Sequence, residues 1–166
     1  PDESGRLIPA LEDMLAKAQD TAFVNYSFHL ILRKVTVETL ADMAELVKRG
    51  FTSFKIYTAY SGFHLSDPEI LTALQAAKDL GAMMCFHAED GHLVNFATEQ
   101  LAAEGKTEMR YFTRSHPRSA DIRATQSVLT YADQVGGRIH IVHVNTQEGA
   151  RMIGKAQRDG LPVTGE

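Results

Sequence analysis

The sequence of 166 residues contains one cysteine and no long apolar run. The single thiol, that of Cys85, excludes an internal disulfide framework and is compatible with a reducing compartment. No apolar stretch approaches the roughly 20 residues that a membrane-spanning helix requires. These absences argue against a disulfide-stabilised secreted scaffold and against a membrane protein.

A basic block is also absent. The 17 lysines and arginines are intermixed with 21 aspartates and glutamates, so that the net charge is -4. Without a run of positive charge, the chain offers no track for nucleic-acid phosphates or anionic lipid, and we expect neither as a partner. The hydrophobic fraction of 44% is ordinary for a globular protein, and the length allows one sizeable core in one domain.

The two ends of the sequence are unusual. It starts at Pro1 without a methionine, and it stops at Glu166, where a strand would deliver its last residue to a loop. We therefore expect the chain to be a segment of a longer protein.

What the sequence does contain is a regular alternation of two hydrophobic periods. Segments with a period near 3.6 residues predict helices, and several of them close on glycine, which tolerates the left-handed conformation beyond a helix end. Ser66 and Glu69 form a capping-box pattern at one helix start. The predicted helices are IPALEDMLAKAQD, VTVETLADMAELVKRG, SDPEILTALQAAKDLG, GHLVNFATEQLAAEG, SADIRATQSVLTYADQVGG and TQEGARMIGKAQRDG.

Between the helices lie five short apolar runs that predict strands: AFVNYSF, TSFKIY, AMMCFH, RIHIVHV and LPVTG. Strands that alternate with helices pair in parallel, because a parallel neighbour requires a crossover connection. The pattern therefore predicts an α/β fold of parallel β/α units. The connection from Lys106 to Pro117 is too long for a simple turn, and we expect it to lie over a site or an interface.

Unusual polar residues fall at or just beyond the carboxyl ends of these strands. Such ends meet at one edge of a parallel sheet, where active sites of β/α proteins are assembled. A single histidine there has an ordinary structural explanation, and a single lysine usually extends its amine to water. Five such residues at one edge favour a shared site: His29, Lys55, His87, His143 and Glu166.

Lys55 is the most unusual of the five, because it stands in the apolar stretch FTSFKIYTAY. The imidazoles of His87 and His143 can bind zinc or another borderline metal, whereas an ammonium has no lone pair to offer. Burial lowers the pKa of a lysine and frees its amine. A free amine can add carbon dioxide to form a carbamate, so Lys55 could act as a metal-bridging anion.

Three stretches, TSFKIYTAY, CFHAEDGHLV and IHIVHVNTQEGARMIGKAQRDGLPVTGE, resemble the D-hydantoinase and dihydropyrimidinase family of the amidohydrolase superfamily. The resemblance runs in order over residues 26–166 and includes NYSFH. It implies a TIM-type (β/α)8 barrel with a small β-sandwich, of which residues 1–166 would supply about five strands of the barrel domain. It also implies a cytoplasmic homo-oligomer, in this family a tetramer.

The resemblance implies a role for four residues. Lys55 would be N6-carboxylysine, a catalytic ligand that bridges two divalent ions, with zinc as the expected metal. His87 and His143 would complete the coordination of one ion. Tyr60 would bind the substrate, polarise its carbonyl and stabilise the oxyanion.

The chain also departs from the family pattern. The His-x-His pair of the first barrel strand, the aspartate of the last strand and the β-sandwich have no counterpart here. We therefore expect the isolated chain to hold at most one weakly bound cation and to lack activity. Where the family tends to read Arg-Pro with two downstream glutamates, this chain has His116, Pro117, Asp121 and Arg123, a difference expected to affect packing or an oligomer surface but no metal ligand.

The expected function is that of a segment of a cyclic amidohydrolase, in which a metal-bound hydroxide opens a hydantoin or dihydropyrimidine ring at its amide carbonyl. Three alternatives stay open: a non-catalytic dihydropyrimidinase-like scaffold for assembly, a related allantoinase or dihydroorotase, and a natural short protein with another role. Scaffold members have typically lost metal ligands, whereas Lys55, His87 and His143 are present. Asn145 could line the site, and structural or solvated places are expected for His29, His64, His92 and His140.

Overall fold

Helices and strands alternate along residues 5–166, which are the residues that this computed structural model describes; the first four residues of the predicted domain lie outside them. The strands are β1 (Leu30–Ile31), β2 (Ser53–Tyr57), β3 (Met83–His87), β4 (Arg138–Ile141) and β5 (Val163–Gly165). The helices are α1 (Leu7–Gln19), α2 (Val37–Lys48), α3 (Asp67–Asp79), α4 (Gly91–Ala103), α5 (Phe112–Ser115), α6 (Arg118–Val135) and α7 (Gln147–Arg158).

The five strands form one sheet in the order β1-β2-β3-β4-β5, and every neighbouring pair is parallel. Each strand thus pairs with the next strand along the chain, and helices carry the connections between them. This confirms the predicted fold of parallel β/α units.

The sheet has one face covered by helices. Phe54, Ile56, Phe86 and Ile139 on that face are at most 1% exposed and belong to one core cluster with apolar residues of the helices. Burying a side chain of this size contributes about 1.5–3 kcal/mol. Because neighbouring residues of a strand point to opposite faces, the alternate residues of β2 and β3, including Lys55 and His87, lie on the other face.

The first strand differs from its predicted place. The run AFVNYSF was expected to form it, but Phe23 is 100% exposed, Val24 is 77% exposed and the run has no strand structure. β1 instead begins at Leu30, because Leu30 and Leu32 are the residues that enter the core. Hydrophobic composition alone did not indicate which apolar residues the rest of the chain would cover.

Local signals at the helix ends agree with the structure. The Glu69 carboxylate accepts hydrogen bonds from the backbone nitrogen and the hydroxyl of Ser66 at 2.9 and 2.6 Å, as the capping pattern predicted. Gly136 ends α6 with a φ of 74°, which is a left-handed conformation that glycine adopts without strain. Within residues 5–166, no helix combines the length and apolar character needed to cross a bilayer.

A buried carboxylate fixes α1 on α2. Asp42 of α2 is 2% exposed and accepts hydrogen bonds from Nε and Nη2 of Arg6, each at 2.7 Å, and from the backbone nitrogen of Leu7 at 2.9 Å. The hydrogen bonds from Arg6 are the main reason that the pKa of Asp42 lies below its ordinary value. Asp42 therefore satisfies the free amide at the start of α1 and pairs the charge beside it.

We expect Asp42→Asn to lower the free energy of unfolding at pH 7 by about 1–3 kcal/mol, because it leaves buried donors with a neutral partner. The pKa of Asp42 is lower in the folded than in the unfolded protein, so its contribution is complete above the unfolded value of about 3.9. The contribution is lost as pH falls through the lower folded value. Urea denaturation at several pH values would measure this.

Asp13→Asn is the matched control, because Asp13 pairs with Lys17 on the surface with both side chains more than 60% exposed. Such pairs contribute little. Equal stability of the Asp42 and Asp13 variants at pH 7 would contradict the role given to Asp42.

Candidate active site

Three of the predicted site residues meet around one cavity at the carboxyl ends of the strands. His87 is the last residue of β3, His143 follows β4 by two residues, and Tyr60 lies in the loop after β2. The cavity has a volume of about 400 Å³. It is lined by Tyr60, His87, Glu89, Phe112, Thr113, His116, Pro117, Arg118, Asp121, His143, Asn145 and Thr146.

His87 and His143 are in direct contact. Nδ1 of His87 lies 2.8 Å from Nε2 of His143, and the ring centres are 4.6 Å apart. Burial lowers the pKa of His143, and the nearby His87 and Lys55 lower it further. His143 therefore favours the neutral form, which has a lone pair to offer.

Lys55 lies deeper along the same face of the sheet and does not line the cavity. It stands in the middle of β2 and not at the carboxyl end, where the sequence analysis placed it. In this position it lies opposite Cys85 of β3, two positions before the pair formed by Tyr57 and His87. Burial lowers the pKa of Lys55, and the Cys85 thiol and Glu166 oppose that shift in part. The local environment therefore raises the fraction of free amine at Lys55, as the sequence predicted.

Tyr60 and His143 have strained backbones. Their φ angles are 71° and 41°, and in residues 5–166 they are the two non-glycine residues with positive φ. A conformation of this kind costs on the order of 1–3 kcal/mol and persists only where the surroundings impose it. At Tyr60, the backbone nitrogens of Phe63 and His64 donate to its carbonyl oxygen at 3.1 and 3.0 Å.

The hydroxyl of Tyr60 is directed toward a buried acid that the sequence analysis missed. It donates to Oε2 of Glu89 at 3.2 Å. Burial raises the pKa of Tyr60, and the Glu89 carboxylate raises it further, so the phenol stays protonated. A protonated phenol beside the cavity can donate a hydrogen bond to an oxygen that becomes negative.

Glu89 also contacts His87. Its Oε2 lies 3.1 Å from Nε2 of His87, a buried nitrogen that is not aligned to form a hydrogen bond. Burial alone would raise the pKa of Glu89, but His87, His116 and the hydroxyl of Tyr60 outweigh burial and hold it below its usual value. An acid two residues after a strand-end histidine, in the stretch HAED, was the signal that could have indicated Glu89.

The connection from Lys106 to Pro117 lies over this site, as predicted. It forms a short 3-10 helix and α5, and four of its residues line the cavity. Nε2 of His116 lies 3.5 Å from the hydroxyl of Tyr60. His116, at which a departure from the family pattern was expected, therefore lies at the site itself.

Besides Lys55, two more of the five strand-end candidates, His29 and Glu166, lie outside the cavity. His29 precedes β1 and contacts Oγ of Ser53 at 2.7 Å, so it lies at the amino end of the sheet. The prediction that it lies at the carboxyl end of a strand was wrong, whereas the contact with Ser53 agrees with the structural place expected for it. The shift of β1 toward the carboxyl end of the chain causes this error. Glu166 follows β5, and its backbone pairs with Ile141 and Val144.

The other assigned residues agree more closely with expectation. Asn145 lines the cavity. His140 contacts Oγ1 of Thr164 at 2.8 Å and lies on the face opposite Ile139 and Ile141. Nδ1 of His64 lies 3.2 Å from the carbonyl oxygen of Tyr60.

The imidazoles of His87 and His143 are donors that suit a borderline metal ion. Within residues 5–166, no three His, Cys, Asp or Glu side chains are grouped so that they could hold one. Nitrogens that share a zinc ion with bonds of about 2.0–2.1 Å lie about 3.3 Å apart, so His87 and His143 would admit an ion after a small separation. The set therefore fits a divalent ion on the condition that Lys55, as a carbamate, supplies a third ligand.

Comparisons with known proteins give a consistent result. The chain is 36% identical over 152 residues to the D-hydantoinase of Streptomyces coelicolor. The matched region covers 91% of this chain and 32% of the length of that relative. The crystal structure of dihydropyrimidinase from Brevibacillus agri superposes with a TM-score of 0.95 at 29% identity, over 99% of this chain and 36% of that one. An allantoinase of Bacillus velezensis is 30% identical over 93% of this chain and 35% of its own length. No family model matches the chain.

The fold and the position of the site define the class of protein. The chain forms five parallel strands of a TIM-type β/α barrel, with its polar site at the carboxyl ends of the strands. Within that class it belongs to the D-hydantoinase and dihydropyrimidinase family. The chain spans about a third of the length of these relatives.

The contact between Tyr60 and Glu89 leads to a titration experiment. We expect Glu89→Gln to lower the pKa of Tyr60 in the metal-free protein, because phenolate would no longer form beside a carboxylate. The pKa should stay above that of an ordinary phenol, since burial, the larger cause, remains. Ultraviolet difference absorbance of phenolate would follow the titration, with Tyr60→Phe used to assign it.

Glu99→Gln is the control, because it removes the same charge from an exposed position on α4. A pKa of Tyr60 that is the same in the Glu89 and Glu99 variants would show that the carboxylate of Glu89 has no influence on the phenol.

Proposed function

We propose that this chain supplies part of the active site of a metal-dependent hydrolase that opens cyclic amides such as hydantoins and dihydropyrimidines. The observation that carries the proposal is the meeting of His87, His143 and the protonated hydroxyl of Tyr60 at one cavity, with Lys55 on the same face of the sheet. Membership of the D-hydantoinase and dihydropyrimidinase family supports the substrate class.

The metal ligands in this proposal are His87, His143 and Lys55, with Lys55 as N6-carboxylysine shared by two divalent ions. Zinc is the expected metal. When bound, the ions would supply Lewis acidity toward the ring carbonyl and a water molecule of lowered pKa. The His-x-His pair and the aspartate that the second ion needs in this family have no counterpart in these 166 residues.

The environment of Lys55 supports the carbamate chemically. The free amine attacks carbon dioxide, a nitrogen–carbon bond forms, and one proton leaves to solvent, which yields a carboxylate at the end of the lysine side chain. The step needs the unprotonated amine, and burial of Lys55 favours that form. The neutral form of His143 is likewise the form that a metal ion requires.

Tyr60 would act directly on the substrate. Its hydroxyl borders the cavity and keeps its proton, so it can donate to the carbonyl oxygen of a ring amide as that oxygen gains charge. Glu89 and His116 contact the hydroxyl from within the protein and restrict its orientation. Preorganised donors of this kind need no rearrangement when the charge develops.

The family resemblance further supports a homo-oligomer located in the cytoplasm, with a small cyclic amide or ureide as the partner molecule and with neither nucleic acid nor membrane as a partner. In this proposal, the choice of ring, ring substituent and stereochemistry depends on the whole active site of the full-length protein. The matched region covers only about a third of the relatives.

In the full-length protein, Lys55→Ala should abolish metal binding and ring opening together, because one ligand serves both ions. Adding a short carboxylic acid should restore part of the activity by occupying the space of the missing carbamate. Metal content by mass spectrometry and hydantoin hydrolysis measure the two effects. Lys48→Ala, a change at an exposed lysine on α2, should affect neither.

Retention of metal and full activity in the Lys55 variant would show that Lys55 is an ordinary strand lysine. A wild-type protein with neither metal nor turnover would instead identify the non-catalytic scaffold.

Tyr60→Phe should reduce kcat for hydantoin or dihydrouracil by about 10²–10³-fold, the range for losing one oxyanion donor. Metal content should stay at the wild-type level, because the phenol is not a ligand. A panel with hydantoin, dihydrouracil, allantoin, dihydroorotate and a linear dipeptide would define the substrate class. Turnover of the dipeptide at the rate of the rings would refute the proposal, and a preference for allantoin or dihydroorotate would assign the related enzymes.

A further inference from the structure

Two of the loops that line the cavity directly follow the histidines proposed as metal ligands. Residues 88–90 follow His87, and residues 144–146 follow His143. Both loops are bound to the first two turns of α6 by carboxylates that the proposed chemistry does not use. We infer that Asp121 and Arg123 of α6 are positioning residues that fix His143 and His87 relative to each other, an inference that rests on the proposed function.

Asp121 holds the loop after His143. It is 5% exposed, and its Oδ2 accepts a short hydrogen bond from Oγ1 of Thr146. Its Oδ1 lies 3.4 Å from the backbone nitrogen of Asn145. Oγ1 of Thr146 also accepts from the backbone nitrogen of Gly149 at 3.0 Å and so caps the start of α7. Asp121 of α6 therefore links that helix to the loop after His143 and to the start of α7.

Asp121 lies close to the start of α7. A Cβ atom built on Gly149 would lie 3.0 Å from Oδ2 of Asp121, a distance closer than side chains normally permit. The carboxylate thus lies close to the backbone of α7 at Gly149. The strained φ of 41° at His143 needs surroundings that impose it, and the loop held by Asp121 begins at the next residue.

Arg123 holds the loop after His87. It forms an ion pair with Asp90, which is 7% exposed. Asp90 caps α4 by accepting from the backbone nitrogen of Leu93 at 3.0 Å, and its own backbone nitrogen donates to the carbonyl oxygen of Ala120 at 3.0 Å. The residue before it is Glu89, the acid that contacts His87 and Tyr60.

The two contacts originate two residues apart on one helix. A rigid helix therefore fixes the separation of the two loops, and with it the distance between the imidazoles of His87 and His143. Groups that hold metal ligands in place typically change metal affinity by 10–100-fold when altered. Asp121 acts through the loop and touches neither imidazole, so the lower end of that range is expected.

The test uses the full-length protein, freed of metal and titrated with zinc in competition with a chelator. Asp121→Asn should lower the affinity for one zinc ion about tenfold, because a neutral amide replaces the charged group that accepts the hydrogen bond from Thr146. The visible absorption of the cobalt-substituted protein should also change, since it reports ligand geometry. Arg123→Ala should act in the same direction, and Arg123→Lys should restore part of the affinity. Asp133→Asn, on an exposed position of α6, should change neither measurement.

A second pair of variants keeps the test independent of folding. Thr146→Val removes the hydroxyl that Asp121 binds and should reproduce the effect of Asp121→Asn, whereas Thr146→Ser keeps the hydroxyl and should bind zinc as the wild type does. Unchanged zinc affinity and cobalt spectrum in a folded Asp121→Asn protein would overturn the inference. An equal loss in Thr146→Ser would also overturn it, because the loss would then be a packing effect. A wild-type protein that binds no zinc would overturn the proposed function as well.

Discussion

The parallel pairing of β2 with β3 is the constraint on which the rest of the site depends. In this register Lys55 lies opposite Cys85, and Tyr57 lies opposite His87. Side chains alternate between the two faces, so a slip of one residue would move Lys55 or His87 beneath the helices and expose apolar residues in exchange. Phe54 and Phe86, both fully buried, therefore fix the register, and the register brings the polar residues to one face.

Burial has opposite consequences for the groups on that face. It disfavours the charged forms, so it lowers the pKa of Lys55 and His143 and raises that of Tyr60. On this face, burial therefore favours the free amine of Lys55, the neutral imidazole of His143 and the protonated phenol of Tyr60. Tyr60 and His143 also have strained backbones at this site. The surrounding core and loops stabilise positive φ angles that these residues would not adopt by themselves.

The residues at which the sequence analysis expected a departure from the family pattern lie around the site. His116 contacts the hydroxyl of Tyr60, Asp121 binds the loop after His143, and Arg123 pairs with the residue that caps α4. An effect on packing was expected from the sequence, and packing is involved at Asp121. The same three residues also lie around the proposed metal ligands and the proposed oxyanion donor.

The sequence by itself determined the alternation of helices and parallel strands, because hydrophobic period and capping residues are local properties. It also indicated Lys55, His87 and His143, since such side chains are unusual within or just after apolar strands, whereas a role for Tyr60 came from the family resemblance. The position of β1, the misplacement of His29 and the contact of Glu89 with Tyr60 were decided by the tertiary structure alone. Those features depend on which distant residues cover or face a given side chain, and such contacts leave no periodic pattern in the chain.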